Sequence, residues 1–315
     1  MPVPVELAGI WRLVTAQAAV CNRRVTTIAA AIKPATAAPS TSHHSQYRYN
    51  GLMKRILGLL FLGIMLSAAA VAGDKKLIAL TFDDGPRPYV LLGTKATGAP
   101  PGLLDLLDRQ KVKATFFVMG WRLTPKTFGD RREPNIGVTC LDAAQLVRQH
   151  GHEIENHTYS HIQLRLAERQ HGEAWVLGDI DRGARLIQAV THAQPRYLRP
   201  PDWIMWAELQ KKLEDRGYTV MSISPARPLA LRDVNSQDYL CAGAHPAHCP
   251  KPSLAAAVIR QIAARERQGG DTHILVFHEL STTVASLETL VPELQARGYK
   301  FVTLDQYMKE VGAGH

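Results

Sequence analysis

Between residues 77 and 311, short runs rich in β-branched and aromatic residues alternate with stretches of helical period, and this alternation limits the folds open to the chain. The predicted strand runs are Leu77–Phe82 (LIALTF), Ala114–Met119 (ATFFVM), His152–Glu155, Arg196–Arg199, Thr219–Ile223, His273–Phe277 (HILVF) and Lys300–Thr303. Helical patterns are predicted near 101–110, 141–150, 176–190, 205–217, 252–268, 284–297 and 304–311. Gly151, Gly217 and Gly298 stand where three of those helices should stop. Such alternation implies a parallel sheet with helical crossovers. Seven repeats favour a barrel over an open doubly wound sheet, and no GxGxxG follows any strand. The segment 224–251, rich in Pro and Ala, reads as an irregular loop, and neither an internal repeat nor a second domain is visible.

The first 72 residues read as lying outside that fold. Met53-Lys54-Arg55 opens an apolar run from Ile56 to Leu66, followed by small residues and Ala70-Val71-Ala72. This is the pattern of a secretory signal peptide over 53–72, with Gly73 as the expected first mature residue. An uncleaved anchor is the alternative, disfavoured because Ile56–Ala72 is only 17 residues with a Ser/Ala-rich end. No Cys follows the run, which argues against a lipoprotein. Residues 1–52 show no sustained period, and we expect either translation from Met53 or a disordered or targeting extension. Peptides from 1–52 in the native protein would exclude the first of these. The expected location is therefore exported, in a periplasm or outside the cell.

Composition is needed to place the charge. The 315 residues are 46% hydrophobic and 21% charged, which excludes disordered, collagen-like and disulfide-scaffold classes. Formal charge is +9, but residues 1–72 carry seven of the bases and one of the acids. The remainder holds 30 bases against 27 acids, and no nucleic-acid partner is expected. In an exported protein Cys241 and Cys249 could close a small loop, while Cys140 reads as a small apolar core residue at a helix start.

The polar residues at the strand ends carry the chemistry. Asp83 and Asp84, in Thr81–Pro86 (TFDDGP), are adjacent carboxylates at the end of the first strand; a cation would relieve their repulsion. His157 and His161 stand at i and i+4, which on a helical turn puts both imidazoles on one face. With Asp84 they offer two nitrogens and one oxygen, a set that suits Zn²⁺ with a position open for water. Alone, HxxxH is equally well a surface coincidence in a chain with 13 His. Arg199, in Arg199-Pro200-Pro201, could hold Asp83 ionised and aimed. His278 ends HILVF, at the expected barrel rim. Trp203 and Trp206 could stack on a sugar or serve the core. His150, His152, His171, His192, His245, His248 and His273 are read as having no chemical role.

These residues resemble those of the polysaccharide deacetylases, carbohydrate esterase family 4. TFDDGP at 81–86, HTYSH at 157–161, RPP at 199–201 and LVFH at 275–278 match four family motifs in order. VKATFFVMG (112–120) and GHEIENHTYSH (151–161) are also similar, and the likeness covers about residues 77–310. The resemblance implies a distorted (β/α)7 barrel in a single catalytic domain, 73–315, and metal-dependent N-deacetylation of a glycan such as peptidoglycan, chitooligosaccharide or exopolysaccharide. It implies Asp83 as general base and Asp84, His157 and His161 as ligands of Zn²⁺ or another divalent transition metal. Arg199 would orient Asp83, and His278 would be the general acid. Membrane contact is expected only through an uncleaved signal segment.

The chain departs from the family pattern at several points. The family usually has an Asp-containing motif before the last strands, with an acid that tunes the histidine; Ser224 and Arg227 stand where acids are expected, and Asp233 or Asp238 could substitute from the loop. Asp202 replaces the usual Tyr after RPP. Glu279 reads as a solvated helix-cap acid. A non-sugar amide hydrolase on the same fold and a catalytically inactive glycan-binding barrel are the alternative functions, the latter suggested by Ser224 and Arg227.

Overall fold

The structure is a computed structural model that describes residues 76–93, 101–124, 137–222, 228, 231–242 and 246–312. The expected signal segment 53–72, the extension 1–52, Ser224 and Arg227 lie outside the described residues. Residues Ala72–His315 form one compact unit.

The strands are β1 (Leu77–Gly85), β2 (Thr115–Val118), β3 (Glu153–Asn156), β4 (Tyr197–Leu198), β5 (Thr219–Val220), β6 (Asp233–Asn235), β7 (Thr272–His278) and β8 (Lys300–Val302). All pair in parallel, in the order β5-β4-β3-β2-β1-β7-β6, with β8 against the start of β1. Among the described residues β5 and β6 do not pair, so the sheet curls into a barrel that is not fully closed by hydrogen bonds. The helices are α1 (Pro88–Leu91), α2 (Leu103–Arg109), α3 (Cys140–Gln149), α4 (Leu164–His171), α5 (Glu173–Thr191), α6 (Ala207–Glu214), α7 (Leu254–Glu266), α8 (Ser281–Ala296) and α9 (Leu304–Glu310).

All seven predicted strands and all seven predicted helices are present. The expected loop 224–251 instead contains β6, two 3-10 turns (Asp238–Cys241 and Pro246–His248) and the Cys241–Cys249 disulfide. A three-residue strand is too short to show a period. Gly151, Gly217 and Gly298 follow helices with φ of +76°, +86° and +88°, where a side chain would be strained. Cys140 is buried at the first turn of α3, behind a Thr139–Asp142 capping box.

The two faces of each strand have separate tasks. On β1, Ile78, Leu80 and Phe82 join Phe116 and Phe277 in the core between sheet and outer helices. Phe82 and Phe116 stack with centroids 5.0 Å apart. The alternate residues Leu77 and Ala79 face a smaller interior core with Ile274, Phe117 and Tyr197, joined by Leu304, Tyr307 and Met308 of α9. With a side-chain period of two, the interior column of β1 continues through Thr81 to Asp83, and that of β7 through Val276 to His278. Continuous apolar runs thus become polar at the C-terminal rim, where Asp83 pairs in register with His278.

Candidate active site

Asp83 is buried and accepts a hydrogen bond from Arg199 at 2.6 Å. The same Arg199 nitrogen donates to Thr81 Oγ1 at 2.9 Å, and the guanidinium lies 4.1 Å from the Phe117 ring centre. Arg199 has no exposed surface, so its charge must be compensated within the protein. Asp83 supplies most of that, and Asp233 Oδ1 stands 3.7 Å away as a weaker ion-pair partner.

Asp84 follows with φ +70°, which turns its carboxylate from Asp83 toward the histidines. Its Oδ1 lies 3.0 Å from His161 Nε2 and 3.4 Å from His157 Nε2. Burial would raise the Asp84 pKa, but the two imidazoles outweigh it and hold the carboxyl far below the usual range. At His161 burial lowers the pKa, and Asp84 reverses this to a net rise. The histidines do not sit on a helical turn as expected. They lie on a loop after β3, where Thr158 and His161 have φ of +66° and +60°. Asn156 Oδ1 accepts from Thr158 N–H at 2.9 Å, and Thr158 Oγ1 from His161 N–H at 3.1 Å. Asp179 Oδ2 accepts from Tyr159 and Ser160 N–H, both at 3.2 Å. Asp179 was not recognised from the sequence. Its only signal is an acid on the face of α5 that also carries the buried Val176, Ile180 and Gly183.

The triad fits a divalent cation. One atom from each of Asp84, His157 and His161 comes within 4.8 Å of the other two. Asp84 Oδ1 is buried with no hydrogen-bond partner. His157 Nδ1 lies 2.7 Å from the Arg199 carbonyl, which can only accept, so Nδ1 carries the proton and Nε2 presents a lone pair. Two nitrogens and a carboxylate oxygen with room for further ligands are a donor set that a divalent transition metal accepts.

His278 stands across the site. Its Nδ1 is 2.7 Å from Asp238 Oδ1, and its N–H donates to Asp238 Oδ2 at 2.7 Å. Thr283 also donates to Oδ2, at 2.5 Å, and Asp238 is wholly buried. Burial lowers the His278 pKa, but the bond and charge of Asp238, then Asp83 and Asp84, carry it above the ordinary value. Asp233 and Asp238 thus supply acids from the loop to Arg199 and His278 respectively.

A cavity of about 410 Å³ joins these groups, lined also by Asp202, Trp203 and Tyr239. Trp203 lines it, whereas Trp206 belongs to the core, under Arg165. Glu279 is not the solvated cap expected: it is fully buried, and burial pushes its pKa up to about 7 against the pull of Arg87 N–H and nearby guanidinium groups. A second groove of about 480 Å³, at the opposite strand ends near Arg196 and Arg216, holds no comparable cluster among the described residues.

Fold and cluster together define a class: a parallel α/β barrel whose strand tips carry a buried Asp–Arg pair and an Asp–His pair beside a cation-ready triad. The sequence profile of the family described as polysaccharide deacetylase matches residues 70–221. A peptidoglycan-N-acetylglucosamine deacetylase of Bacillus cereus is 28% identical over 243 residues, covering 76% of this chain and 91% of that protein. Peptidoglycan-N-acetylglucosamine deacetylase PgdA of Listeria monocytogenes is 28% identical over 241 residues, covering 76% of this chain. The chain spans only 40% of that Listeria protein's length. The solved structure of peptidoglycan deacetylase PdaC from Bacillus subtilis shares the fold with a TM-score of 0.52 at 23% identity, covering 77% of this chain and 94% of that one. The chain is similar to the polysaccharide deacetylase family over residues 70–221 and to named deacetylases over about three quarters of its length.

Proposed function

We propose that the protein is an exported, divalent-metal-dependent hydrolase that removes acetyl groups from an N-acetylated glycan and releases acetate. One observation carries this reading. Asp83 and Asp84 diverge, one onto Arg199 and the other onto two histidines, with His278 facing them across the same cavity.

Asp84, His157 and His161 would hold the metal, and the donor set suits zinc. Once bound, it supplies a Lewis acid for the amide carbonyl and for water. Asp83, held in place by its 2.6 Å pairing with Arg199, takes the proton of the attacking water. The Asp202 backbone N–H is a donor for the oxygen that becomes negative. Asp238 binds Nδ1 of His278, so Nε2 of the protonated ring delivers its proton to the leaving nitrogen. The amide bond breaks, water adds across it, and an amine and acetate leave. Asp238 pairs with His278 and Asp233 stands by Arg199, so acids from the loop serve in place of those absent at 224 and 227, and this weakens the case for an inactive barrel.

Peptidoglycan is the substrate class supported by the relatives. Export is supported by the signal-like segment and by the Cys241–Cys249 disulfide, a bond of oxidising compartments. No helix among the described residues is long and apolar enough to cross a membrane.

The test is acetate release from N-acetylglucosamine oligomers and peptidoglycan with Zn²⁺, after chelation, and with Asp83→Asn. Release that requires both metal and Asp83 is expected. Bound metal without release from any glycan would shift the reading to a non-sugar amide, and failure to bind metal would remove the site assignment.

A further inference from the structure

Glu279 follows His278 directly, at the end of β7, yet it acts on the end of the neighbouring strand β1. Its own N–H lies 3.4 Å from the Asp83 carbonyl. Its Oε2 accepts from Arg87 N–H at 2.6 Å. One residue therefore grips the Asp83–Arg87 turn on both sides of Asp84.

Gly85 shows how closely the fit is made. A Cβ placed there would stand 1.7 Å from Glu279 Oε1 and 2.5 Å from its Cδ, and the three nearest atoms all belong to Glu279. Gly85 is not among the residues of positive φ, so its backbone does not itself require glycine. What excludes a side chain at 85 is the Glu279 carboxyl. That carboxyl is fully buried, and Oε1 has no hydrogen-bond partner. Burying such an oxygen without a partner costs stability.

We propose that Glu279 is a positioning residue that fixes the Asp83–Asp84 turn relative to His278, an inference that rests on reading those three as base, metal ligand and acid. Gly85 is its counterpart, the socket that lets the carboxyl reach Arg87 N–H. The device sets the distance between the proton acceptor and the proton donor without touching substrate.

The experiment compares Glu279→Ala, Glu279→Met, Glu279→Gln, Gly85→Ala and the double variant Gly85→Ala/Glu279→Ala. Zinc affinity is read by calorimetry, kcat and KM by acetate release, and folding by thermal melts. Loss of outer contacts of this kind costs about 10–100-fold. Glu279→Ala is expected to lose that much in kcat and to weaken zinc binding, with KM changed less than about twofold. Glu279→Met has similar volume without an acceptor; it should show the same losses and carries the test if Glu279→Ala fails to fold. Glu279→Gln, whose amide oxygen can accept from Arg87 N–H, should stay within about threefold of wild type. Gly85→Ala should be impaired, and the double variant should bind zinc better than Gly85→Ala alone, because the methyl enters vacated space. Wild-type zinc affinity and kcat in the Ala or Met variant would overturn the proposal, as would a fully tolerated Gly85→Ala. If wild type binds zinc and releases no acetate while Glu279→Met weakens zinc binding, the deacetylase reading fails and the positioning role stands.

Discussion

Asp238 holds His278 at two points, Oδ1 at 2.7 Å from Nδ1 and Oδ2 at 2.7 Å from the backbone N–H, so ring and strand end are fixed by one carboxylate. The consequence is a pH dependence. Burial lowers the His278 pKa, and Asp238 is the main influence that raises it above the ordinary value. A general acid works only while protonated, so activity falls as pH rises through that pKa. Asp238→Asn removes the charge and keeps the shape. The alkaline limb of kcat should move to lower pH, with a loss of about 10–100-fold above pH 8. A pH–rate profile checks this, and an unmoved limb would sink it.

The His278–Asp238 pair also shows what was and was not legible in the sequence. The strand ends were legible, because apolar columns of period two run into Asp83, Arg199 and His278. Asp238 is 40 residues from its histidine on an aperiodic segment, so only folding identifies it as the partner. The His157–His161 spacing suggested a helical turn, and two left-handed residues build a loop instead. Glu279 was misread as solvated because its burial depends on a missing Cβ at Gly85, 194 residues upstream. Local pattern carried the β/α scaffold, and long-range contacts carried the tuning of the site.

The Arg199–Asp83 pair sits without solvent on the arginine side. Removing one partner leaves the other charged and buried, at a cost of about 3–5 kcal/mol. Arg199→Met should lose stability on that scale in urea unfolding. Asp83→Asn combined with Arg199→Met should recover part of it and still release no acetate. A double variant no more stable than Arg199→Met would show that the burial of Asp83 is not the source of the loss.

Zinc should stabilise the fold through the triad alone. At a free concentration about 100-fold above Kd, binding to the folded state adds about 2.7 kcal/mol. For a domain of this size that is roughly 5–10 °C in Tm. The rise should vanish with chelator and be absent in His161→Ala and Asp84→Ala. An equal rise in those variants would place the metal elsewhere.

Acid should destabilise the domain through two histidines remote from the reaction. Burial, with nearby positive charge, lowers His152 and His273 to about 4 in the fold. Both groups therefore bind protons better when unfolded. The stability from each is present above the ordinary pKa, near 6.5, and is lost as pH falls from there through about 4. The total is on the order of 3 kcal/mol for each. Glu155 and Glu279, raised to about 8 and about 7 mainly by burial, have the opposite sign and lose stability as pH rises from about 4.5. His273→Phe removes one titration, and Tyr299 keeps its bond to Glu266 at 2.8 Å. Its urea midpoint should fall less than that of wild type between pH 6.5 and 4; equal slopes would reject the assignment.

Asp202 should set a charge preference among substrates. It lines the cavity with φ +56°, and among the described residues its carboxylate accepts a 3.5 Å contact from Gln163. It is exposed, so its field at a bound sugar is screened and worth well under 1 kcal/mol at a distance of several ångströms. That is still enough to disfavour a glycan bearing its own carboxylate by about 2–4-fold. Asparagine tolerates the same left-handed backbone, so Asp202→Asn isolates the charge from the shape. The variant should raise kcat/KM for N-acetylmuramic acid-containing oligomers by that factor and leave neutral N-acetylglucosamine oligomers unchanged. The difference should fade at about 0.5 M salt, where the Debye length falls to roughly 4 Å. A gain shared equally by neutral and acidic oligomers would mean that the side chain acts by contact and not by charge.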